Sequence, residues 1–493
     1  MIEICLNTDE FEYDVRAMVK AFYPEEFLYV QCKESKVQSQ KPPGDECVKM
    51  HMNLDVKDEE IDLRLQQGEE ITCEKAHTVK GDRSQRKNDL KRLLYHVFSM
   101  KTGRTLPWGT LTGIRPTKMI MKDLEDGKEP SMIMQEMKEK YLVSDEKLME
   151  GVEIAGRERE ILKKLPEQDG YSLYVHIPFC PTTCLYCSFT SFSAKRWKDA
   201  MDDYVDAVIK ELSVILPYDR KKKLTTVYFG GGTPTTLSSA QLRRLIQYIK
   251  EQFDLSDLLE FTVEAGRPDS ITKEKLQVLK ELGVTRISIN PQTMKEETLH
   301  ILGRNHTVND VVNAFHLARQ CGFDNINMDI ILGLPMEDSK DNQMTLQEIQ
   351  KLHPDNLTVH CLARKHNARL NLEKEKYKDL TFADVTEGME LSSQAAKDMG
   401  MVPYYMYRQK NIAGNQENIG YARENKFGIY NILIMEERQS ILAVGAGAIT
   451  KLVGKPGEFL ERVENVKDVA TYLERVDEMM ERKKRAFESY GLI

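Results

Sequence analysis

The chain has few of the features that mark a secreted, membrane-spanning or nucleic-acid-binding protein. Its formal net charge is -8 at pH 7, whereas a general nucleic-acid binder needs a basic surface. No stretch approaches the roughly 18 apolar residues of a membrane span, and the first residues show neither a basic nor an apolar signal segment. The 9 cysteines follow no regular disulfide spacing, which indicates a reducing compartment. We therefore expect a cytoplasmic protein that binds neither nucleic acid nor a membrane.

What the chain does contain is a short run of three cysteines, Cys180, Cys184 and Cys187, in the pattern C-x3-C-x2-C. Three thiolates at this spacing can bind three irons of a 4Fe–4S cluster and leave the fourth iron open to a small molecule. The patterns of electron-carrying ferredoxins instead supply a cysteine for every iron. The run therefore predicts a cluster that takes part in chemistry.

Two other interpretations of these cysteines remain. A structural zinc site needs a fourth Cys or His ligand to complete its tetrahedron, and free cysteines are commonly buried as small apolar side chains. Neither accounts for the neighbouring residues. The cysteines follow a strand-like run at 171–179 that ends in His176, Ile177, Pro178 and Phe179, and Tyr186 lies between the second and third cysteines. This context favours the cluster.

Downstream of the cysteines, strand-like apolar runs alternate with segments of helical periodicity. This alternation predicts parallel strands joined by crossover helices, an α/β fold with a partial (β/α)6 barrel like that of triosephosphate isomerase. Functional groups of such barrels gather at the carboxyl ends of the strands. The predicted strands are 171–179, 225–230, 260–265, 286–290, 325–332 and 357–362, and the predicted helices are 195–216, 239–252, 273–282, 308–320 and 342–352.

A glycine-rich segment, Gly-Gly-Gly-Thr-Pro-Thr at 230–235, directly follows the second predicted strand. Consecutive glycines let the backbone approach a ligand, and their exposed amides can bind a carboxylate. An ordinary turn is the other interpretation of the same segment. Its place at the carboxyl end of a barrel strand favours ligand binding.

Polar residues also occur in or near the ends of later strands: Glu264 ends the third strand, Gln292 follows the fourth and Asp329 lies in the fifth. Polar side chains are costly to bury without partners, so a polar ligand would satisfy them. Arg304 brings a planar guanidinium that suits a carboxylate. Asp329 and Arg304 could instead pair with each other, but the ordered series of polar residues favours a ligand site.

Together these motifs resemble the oxygen-independent coproporphyrinogen III oxidase family of radical S-adenosylmethionine (SAM) proteins, from about residue 172 to about residue 450. The resemblance implies a 4Fe–4S cluster on the three cysteines, with Tyr186 in its surroundings, and two molecules of SAM. The residues implied for the first SAM are Tyr174, Gly231 and Glu264. The residues implied around the second SAM are Gly232, Thr233, Gln292, Arg304, Asp329, Ala363 and Ile449.

The stretch 403–421, followed by 444–449, narrows this resemblance to the HemZ branch. The resemblance implies an enzyme that converts two propionates of coproporphyrinogen III to vinyl groups, giving protoporphyrinogen IX without oxygen. It also implies a tetrapyrrole substrate, a low-potential electron donor such as flavodoxin or ferredoxin, and a monomer. Arginines such as Arg304, Arg364 or Arg408 are expected to line the pocket for this anionic substrate.

One departure from the oxidases leaves alternatives open. The oxidases carry a fourth cysteine two residues after the third, where this chain has Ser188 and Phe189. In that respect the motif resembles the HemW branch of heme chaperones, which keep the cluster and much of the barrel. Relatives that open and methylate heme share the barrel as well. The alternatives are therefore a heme-binding chaperone without oxidase activity and a heme-modifying methyltransferase.

Three domains are expected: an N-terminal accessory domain at 1–167, the barrel at 168–375 and a C-terminal α+β extension at 376–493. In the first domain, strand-like pieces at 1–6, 27–32, 48–54 and 59–65 and a helix at 10–21 precede helices at 87–101, 116–124, 131–140 and 144–162. The segment 105–116 predicts either a packed loop or a substrate contact through Arg115. His360, Cys361 and His366 near the sixth strand suggest a heme or metal ligand, although a role in the core or pocket wall is favoured.

Overall fold

The computed structural model describes the chain except for residues 25, 34–46, 114, 167–168, 366, 410–411 and 455–457. The described residues form two compact units. The first is Met1–Val152 with Arg408–Gln416, and the second is Glu153–Tyr407 with Glu417–Ile493. The expected boundary between residues 167 and 168 lies outside the described residues, so the division into three domains stays a prediction.

A five-stranded sheet with order β2-β1-β3-β4-β5 forms the centre of the first unit. Buried and exposed residues alternate along β3 and β4, so one face of the sheet packs in an apolar core with residues of α1 and α2. Strand β5 was not predicted from the sequence because most of its residues are polar and none is buried. The elements are β1 (Ile2–Leu6), α1 (Glu12–Phe22), β2 (Leu28–Cys32), β3 (Met50–Val56), β4 (Glu60–Gln67), β5 (Glu70–His77), α2 (Arg83–Thr102), α3 (Thr117–Glu125), α4 (Pro130–Tyr141) and α5 (Asp145–Leu162), which runs into the second unit.

The described residues of the segment 105–116 pack within the first unit. Trp108 is fully buried, and the Thr110 amide donates to the carbonyl of Tyr141 at 2.8 Å. Arg408 is also buried, and its guanidinium donates to the main-chain carbonyls of Leu111 and Asn415. We therefore attribute the Gly, Pro and Trp content of the segment to packing. Arg408 is bound to main-chain oxygens.

The second unit contains an eleven-stranded sheet with order β14-β15-β13-β12-β11-β10-β9-β6-β16-β17-β18. Its elements in chain order are β6 (Gly170–Ile177), β7 (Phe179–Cys180), β8 (Phe192–Ser193), α6 (Met201–Leu212), α7 (Leu216–Asp219), β9 (Lys223–Gly231), α8 (Ser239–Gln252), β10 (Glu260–Glu264), α9 (Lys273–Glu281), β11 (Arg286–Ser288), α10 (Glu296–Ile301), α11 (Val308–Gln320), β12 (Ile326–Leu332), α12 (Ser339–Leu352), β13 (Asn356–Cys361), α13 (Arg369–Leu372), α14 (Thr386–Asp398), β14 (Val402–Tyr407), β15 (Asn418–Ala422), α15 (Ile429–Glu436), β16 (Ser440–Val444), β17 (Ile449–Val453), β18 (Phe459–Glu464), α16 (Val469–Glu474) and α17 (Val476–Ser489).

The six predicted barrel strands are confirmed as β6, β9, β10, β11, β12 and β13, which are sheet neighbours in this order and all parallel. The fold is therefore the expected partial barrel. The sheet continues beyond it, because β16 pairs in parallel with β6 and β15 pairs antiparallel with β13. No helix in the described part of the chain is long and apolar enough to cross a bilayer.

The first crossover helix differs from its prediction of 195–216. Helix α6 begins only at Met201, because the preceding residues return to the cysteine loop. The amide of Phe192 donates to the Pro178 carbonyl at 2.8 Å, and the amide of Arg196 turns back to the Ser193 carbonyl at 3.1 Å. Residues 192–197 thus form part of the functional edge of the barrel.

Helix α15 packs against the barrel strands through its first turn. The Ile429 amide donates to Glu260 at 2.5 Å, and the Tyr430 ring stacks on Tyr228 of β9 with ring centroids 4.4 Å apart. The C-terminal part of the chain thereby supplies side chains next to those of the barrel strands.

Candidate active site at the carboxyl ends of the barrel strands

The three cysteines of the C-x3-C-x2-C run are free thiols on the loop that leaves β6. The Cys184 sulfur accepts hydrogen bonds from the guanidinium groups of Arg267 and Arg304, each at 3.7 Å. The Cys180 sulfur accepts one from the Thr233 hydroxyl at 3.4 Å. The backbone amide of Phe189 lowers the pKa of the Cys187 thiol, against the larger raising effect of burial. Two of the three sulfurs, those of Cys180 and Cys184, therefore accept hydrogen bonds from side chains.

These surroundings fit iron–sulfur ligands. Burial raises the pKa of the Cys180 thiol and raises that of Cys187 to about 11, so both are protonated until a metal displaces the proton. Two guanidinium groups donate to the Cys184 sulfur, and hydrogen bonds to sulfur are a feature of 4Fe–4S sites. The donor set therefore suits a cluster held by all three cysteines.

The described residues contain no group of three His, Cys, Asp or Glu side chains that converges on one point as the ligands of a single metal ion do. A 4Fe–4S cluster takes each thiolate at a different iron, so its ligands are spread more widely. The described residues therefore offer no ready ligand set for a mononuclear metal site such as zinc.

A small apolar cluster of its own anchors the cysteine loop. The Leu185 amide donates to the Leu302 carbonyl, and the Leu370 amide donates to the Leu185 carbonyl, both at 3.0 Å. Segments that follow β11 and β13 thus meet at the residue between Cys184 and Tyr186. The buried members of the cluster are Leu185, Leu302, Ile331, Leu334, Leu362 and Leu370.

The glycine-rich segment is tied to the same loop. The amide of Gly232 donates to Ile177 at 2.8 Å, and the amide of Thr233 donates to Phe179 at 2.7 Å. Gly231 has φ +107° and lies against the His176 ring, which a Cβ would overlap, so only glycine suits this position. The predicted ligand-binding segment therefore borders the cysteine loop.

Glu264 ends β10 and faces this segment. A Cβ on Gly230 would lie 3.2 Å from both Glu264 Oε1 and the Tyr174 hydroxyl, so the two side chains meet where the glycine leaves space. Burial raises the pKa of Glu264 to about 7, against the lowering effect of the Tyr228 hydroxyl, which donates to Glu264 at 2.6 Å. Tyr174 stacks on Tyr228 with centroids 6.0 Å apart.

Gln292, which follows β11, lies beside Asp329 of β12. The Gln292 amide donates to the Asp329 carbonyl at 3.0 Å, and Gln292 adopts φ +70°, a left-handed conformation uncommon for a residue with a side chain. Its side-chain Oε1 is buried and has no hydrogen-bond partner among the described residues. A buried amide oxygen without a partner is costly, so a ligand that donates a hydrogen bond fits here.

Asp329 is held in its ionised form. Burial would raise its pKa, but His360, whose Nε2 lies 3.8 Å away, and Asn327, which donates at 2.6 Å, outweigh that effect. The pKa of Asp329 therefore lies below its ordinary value. His360 is thus placed beside a predicted cofactor residue, while Cys361 is buried against Met389 in the core; His366 lies outside the described residues.

Arg304 links the cysteine loop to the strand ends. Besides Cys184, its guanidinium contacts the Tyr186 hydroxyl at 3.3 Å and donates to the carbonyls of Gly266 and Asn290 at 3.1 and 2.6 Å. It does not pair with Asp329 in any of these contacts, so the simple Arg304–Asp329 pair considered from sequence is not observed. The predicted iron site and the ends of β10 and β11 are therefore contiguous.

Two predicted residues are not connected to this arrangement by side-chain contacts among the described residues. Ala363 follows β13 at its carboxyl end, next to Leu362, whose amide donates to the Leu332 carbonyl at 2.9 Å. Ile449 begins β17, two strands beyond β6 in the sheet, and is 43% exposed. The assignments of Ala363 and Ile449 to a cofactor site stay predictions.

Sequence reasoning missed three residues of this site: Arg267, Tyr228 and Tyr430. Arg267 follows Glu264 by three residues, and a cation just past a barrel strand is a signal that could have revealed it. Tyr228 lies within a strand-like run and reads as a core aromatic. Tyr430 had no local signal, because it comes from a helix about 200 residues along the chain from β9.

Comparison with known proteins assigns this site to a class. The model of the radical SAM superfamily matches residues 174–349, the region that holds the cysteine loop, the glycine-rich segment, Glu264, Gln292 and Asp329. That superfamily implies a 4Fe–4S cluster and SAM as cofactors, which agrees with the donor set described above.

The relatives are more specific. The oxygen-independent coproporphyrinogen-III oxidase-like protein HemZ of Bacillus subtilis is 41% identical over 401 residues, which cover 80% of this chain and 80% of HemZ. The heme chaperone HemW of the same organism is 38% identical over 192 residues, or 39% of this chain and 50% of HemW. The chain belongs to the oxygen-independent coproporphyrinogen III oxidase family of radical SAM proteins, in the HemZ branch.

A solved structure bears out the fold. Coproporphyrinogen III oxidase (HemN) from Escherichia coli matches with a TM-score of 0.51 and 23% identity, over 65% of this chain and 73% of that chain. The family as a whole includes proteins named as oxidases and proteins named as heme chaperones, so membership alone does not define the reaction.

Replacement of Cys184 by Ala removes the thiol that two guanidinium groups surround. After anaerobic reconstitution with iron and sulfide, we expect the cluster absorbance near 400 nm to fall to roughly a tenth of the wild-type value or less, because a fully ligated cluster needs all three thiolates. Cys361→Ala, which changes a buried cysteine outside the loop, is the matched control and should retain the cluster. Equal iron content in the Cys184→Ala variant and the wild type would refute the assignment.

Proposed function

We propose that the protein is a radical SAM oxidoreductase of tetrapyrrole metabolism that converts coproporphyrinogen III to protoporphyrinogen IX without oxygen. In each of two events, one propionate loses a hydrogen atom, carbon dioxide and one electron and becomes a vinyl group. The cluster and SAM, when bound, supply the 5'-deoxyadenosyl radical that takes the hydrogen atom. The rest of the chemistry depends on how the chain binds and orients the substrate.

The observation that carries this proposal is the position of Arg304. Its guanidinium contacts Cys184 and also the main chain at the ends of β10 and β11. A small molecule bound at the open iron would therefore lie against Glu264, Gln292 and the glycine-rich segment. This is the arrangement that a SAM-dependent reaction at the carboxyl ends of the strands requires.

The residue roles in this proposal are those that the family resemblance implies. Cys180, Cys184 and Cys187 hold the cluster. Glu264 and Tyr174, which meet beside Gly230, bind the first SAM, with Gly231 allowing close approach. Around a second SAM we place Gly232, Thr233, Gln292, Arg304, Asp329, Ala363 and Ile449, with Tyr186 next to the cluster.

The charges inside the barrel support a cationic ligand. Glu260, Glu264 and Asp329 bring three carboxyl groups to the interior, and the buried Arg286 is the guanidinium that most directly opposes them. Buried carboxylates require compensating positive charge. SAM carries a sulfonium and an ammonium group, so its binding supplies that compensation.

The electron that starts each event comes, in this proposal, from a low-potential donor protein such as a flavodoxin or ferredoxin. We further propose that the protein acts as a monomer in the cytoplasm and that the accessory domain at 1–167, the barrel at 168–375 and the extension at 376–493 are separate functional parts.

A heme-binding chaperone is the second candidate function. The observation that favours it is Phe189, which stands where the oxidases carry a fourth cysteine, together with the 38% identity to HemW over 192 residues. A chaperone would bind heme stably and would not consume SAM in proportion to a porphyrinogen.

One experiment separates these functions. The reconstituted protein is incubated anaerobically with SAM, dithionite and either coproporphyrinogen III or heme, and 5'-deoxyadenosine and tetrapyrroles are measured by chromatography. We expect vinyl-bearing product with about one deoxyadenosine per vinyl group formed. Tight heme binding without turnover would establish the chaperone instead, and an opened or methylated heme would establish heme modification.

The raised pKa of Glu264 predicts pH-dependent binding of SAM. Its carboxylate form accepts hydrogen bonds from the SAM ammonium group, and this form predominates above a pKa of about 7. Below that pH, the affinity should fall by about tenfold per pH unit, with Tyr228, Asp329, Arg286 and His360 as the neighbouring groups that modulate it. Equilibrium dialysis of the reconstituted protein with labelled SAM between pH 6 and about 8.5 measures this dependence.

Glu264→Gln is the control for that measurement. The amide does not titrate, so the variant should bind SAM weakly and with little change across the same pH range. A variant with the full pH dependence of the wild type would show that another group binds the ammonium.

Asp329→Ala tests the second SAM separately. The substitution removes a carboxylate beside Gln292 without touching the cysteine loop, so binding should fall from about two SAM per cluster to about one. Asp324→Ala, on the exposed approach to β12, is the matched control, because Asp324 pairs with Lys426 at the surface. Unchanged stoichiometry in the Asp329→Ala variant would remove the reason for placing a second SAM there.

A further inference from the structure

The outer surface of the cysteine loop has a charge unlike that of the rest of the chain. The whole chain has 78 acidic and 70 basic residues, yet no Asp or Glu occurs between Gly170 and Lys198. Within that stretch Lys195, Arg196 and Lys198 are exposed, and none of the three forms an ion pair with a described residue. A local positive surface therefore lies on a chain whose net charge is negative.

An exposed aromatic ring lies on the same loop. Phe189 is 72% exposed, the largest exposure among the large apolar side chains of the described residues. Exposure of an apolar ring of this size to water is unfavourable, and aromatic residues are enriched at protein–protein interfaces. The surface formed by Phe189, Lys195, Arg196 and Lys198 is called the loop surface below.

The loop surface is joined directly to two of the three iron-binding cysteines. Phe189 follows Cys187 by only two residues. The amide of Ala194, the residue before Lys195, donates to the Cys180 carbonyl at 2.9 Å, and Phe179 and Cys180 pair with Phe192 and Ser193 as neighbouring strands. A molecule bound at the loop surface would thus be one hydrogen bond from the cluster ligands.

The boundary of the loop surface is sharp. Asp199 is the next residue after Lys198, and Asp202 and Asp203 follow in the first turn of α6. Asp202 accepts hydrogen bonds from Gln241 and Arg244 of α8, so acidic charge resumes where the chain packs back onto the barrel. The positive charge is therefore confined to the part of the loop beside the cysteines.

We propose that the loop surface is the docking site of an acidic electron-carrier protein whose flavin edge is exposed. The cations attract the acidic rim of the carrier, and Phe189 meets the apolar edge of the flavin. One electron passes from the reduced flavin to the oxidised cluster, with no bond made or broken and no proton transferred to this chain. This inference rests on the proposed function only in that the cluster must be reduced for each event.

Charge decides the efficiency of this encounter. The net charge of the chain is -8, so an acidic carrier is repelled over most of the surface and drawn only to a local region of opposite sign. Such local complementarity raises association rates by roughly 10-fold to 1,000-fold at low ionic strength, and salt screens the effect.

The test replaces Lys195, Arg196 and Lys198 by Glu in the reconstituted full-length protein. Cluster reduction by flavodoxin hydroquinone is followed anaerobically by stopped-flow absorbance, with and without about 0.5 M salt to screen the charges. We expect the rate at low salt to fall at least tenfold in the triple variant, and the difference to shrink at high salt. Reduction by dithionite, and SAM cleavage driven by dithionite, should stay at the wild-type level.

A matched control is available on the same barrel. Arg220 and Lys221 are exposed, lie before β9 and form no ion pair with a described residue. The double variant Arg220→Glu with Lys221→Glu carries two charge reversals away from the cysteines, and the double variant Lys195→Glu with Arg196→Glu is compared with it so that the change in net charge is the same. This control should reduce the flavodoxin-dependent rate less than twofold. An equal loss in both variants would mean that net charge, and not the loop surface, governs the rate.

The remaining outcomes also decide the question. Equal flavodoxin-dependent rates in the triple variant and the wild type would overturn the proposal. A second outcome is that flavodoxin does not reduce the wild type, whereas an acidic ferredoxin does and reduces the triple variant more slowly. The partner would then be an iron–sulfur carrier, and the proposal as stated would be overturned. Failure of the wild type to cleave SAM with dithionite would instead refute the proposed function, independently of docking.

Discussion

The buried carboxylate of Glu211 is the constraint on which the C-terminal edge of the barrel depends. It and its ion-pair partner Lys483, 2.6 Å away, are both fully inaccessible to solvent. Tyr472, Asn465 and the Gly445 amide also donate to it, at 2.6, 2.7 and 2.8 Å. Removing one member of a buried ion pair costs roughly 3–5 kcal/mol in proteins, so helix α6 is stable in this form only with the C-terminal segments docked on it.

The same constraint reaches the cofactor site through one turn. The turn that Glu211 holds places the Ala446 carbonyl 2.5 Å from His176 Nδ1, which must carry the proton to donate to it. The Tyr204 hydroxyl connects the two segments. It donates to the His176 carbonyl at 2.7 Å and accepts from the Ala446 amide at 3.0 Å. Since the His176 ring packs against Gly231, the last 50 or so residues help to shape the glycine-rich segment, although the superfamily model ends at residue 349.

The parts of this structure that could be predicted are those written locally in the chain. The barrel strands are short runs rich in apolar residues that alternate with helical segments, so the strands could be predicted from periodicity, together with the places of Glu264 at the end of β10, Gln292 after β11 and Asp329 within β12. The seventh parallel strand, β16, and the stacking of Tyr430 on Tyr228 could not be predicted, because they depend on which distant segment covers the free edge and the interior of the sheet. The late start of α6 was missed for a similar reason: the main-chain pairing of 192–194 with 178–180 overrides the helical pattern of the segment.

In the proposed function, the residues that bind the cofactors and those that choose the substrate would lie on different parts of the second unit. The two terminal nitrogens of Arg304 are already bonded to Cys184, Tyr186 and two main-chain carbonyls, and its Nε is buried without a partner among the described residues, so this guanidinium is a poor anchor for a propionate. A tetra-anionic porphyrinogen would need other cations. The segment after β13 brings Arg364, 4.0 Å from the centre of the Phe382 ring, and Arg369, which contacts the Thr183 carbonyl at 3.5 Å and pairs with Glu373 at 2.9 Å. One barrel with this site could therefore serve an oxidase, a chaperone or a heme-modifying enzyme, and in the proposed function the cations beyond the sixth barrel strand would distinguish one tetrapyrrole from another.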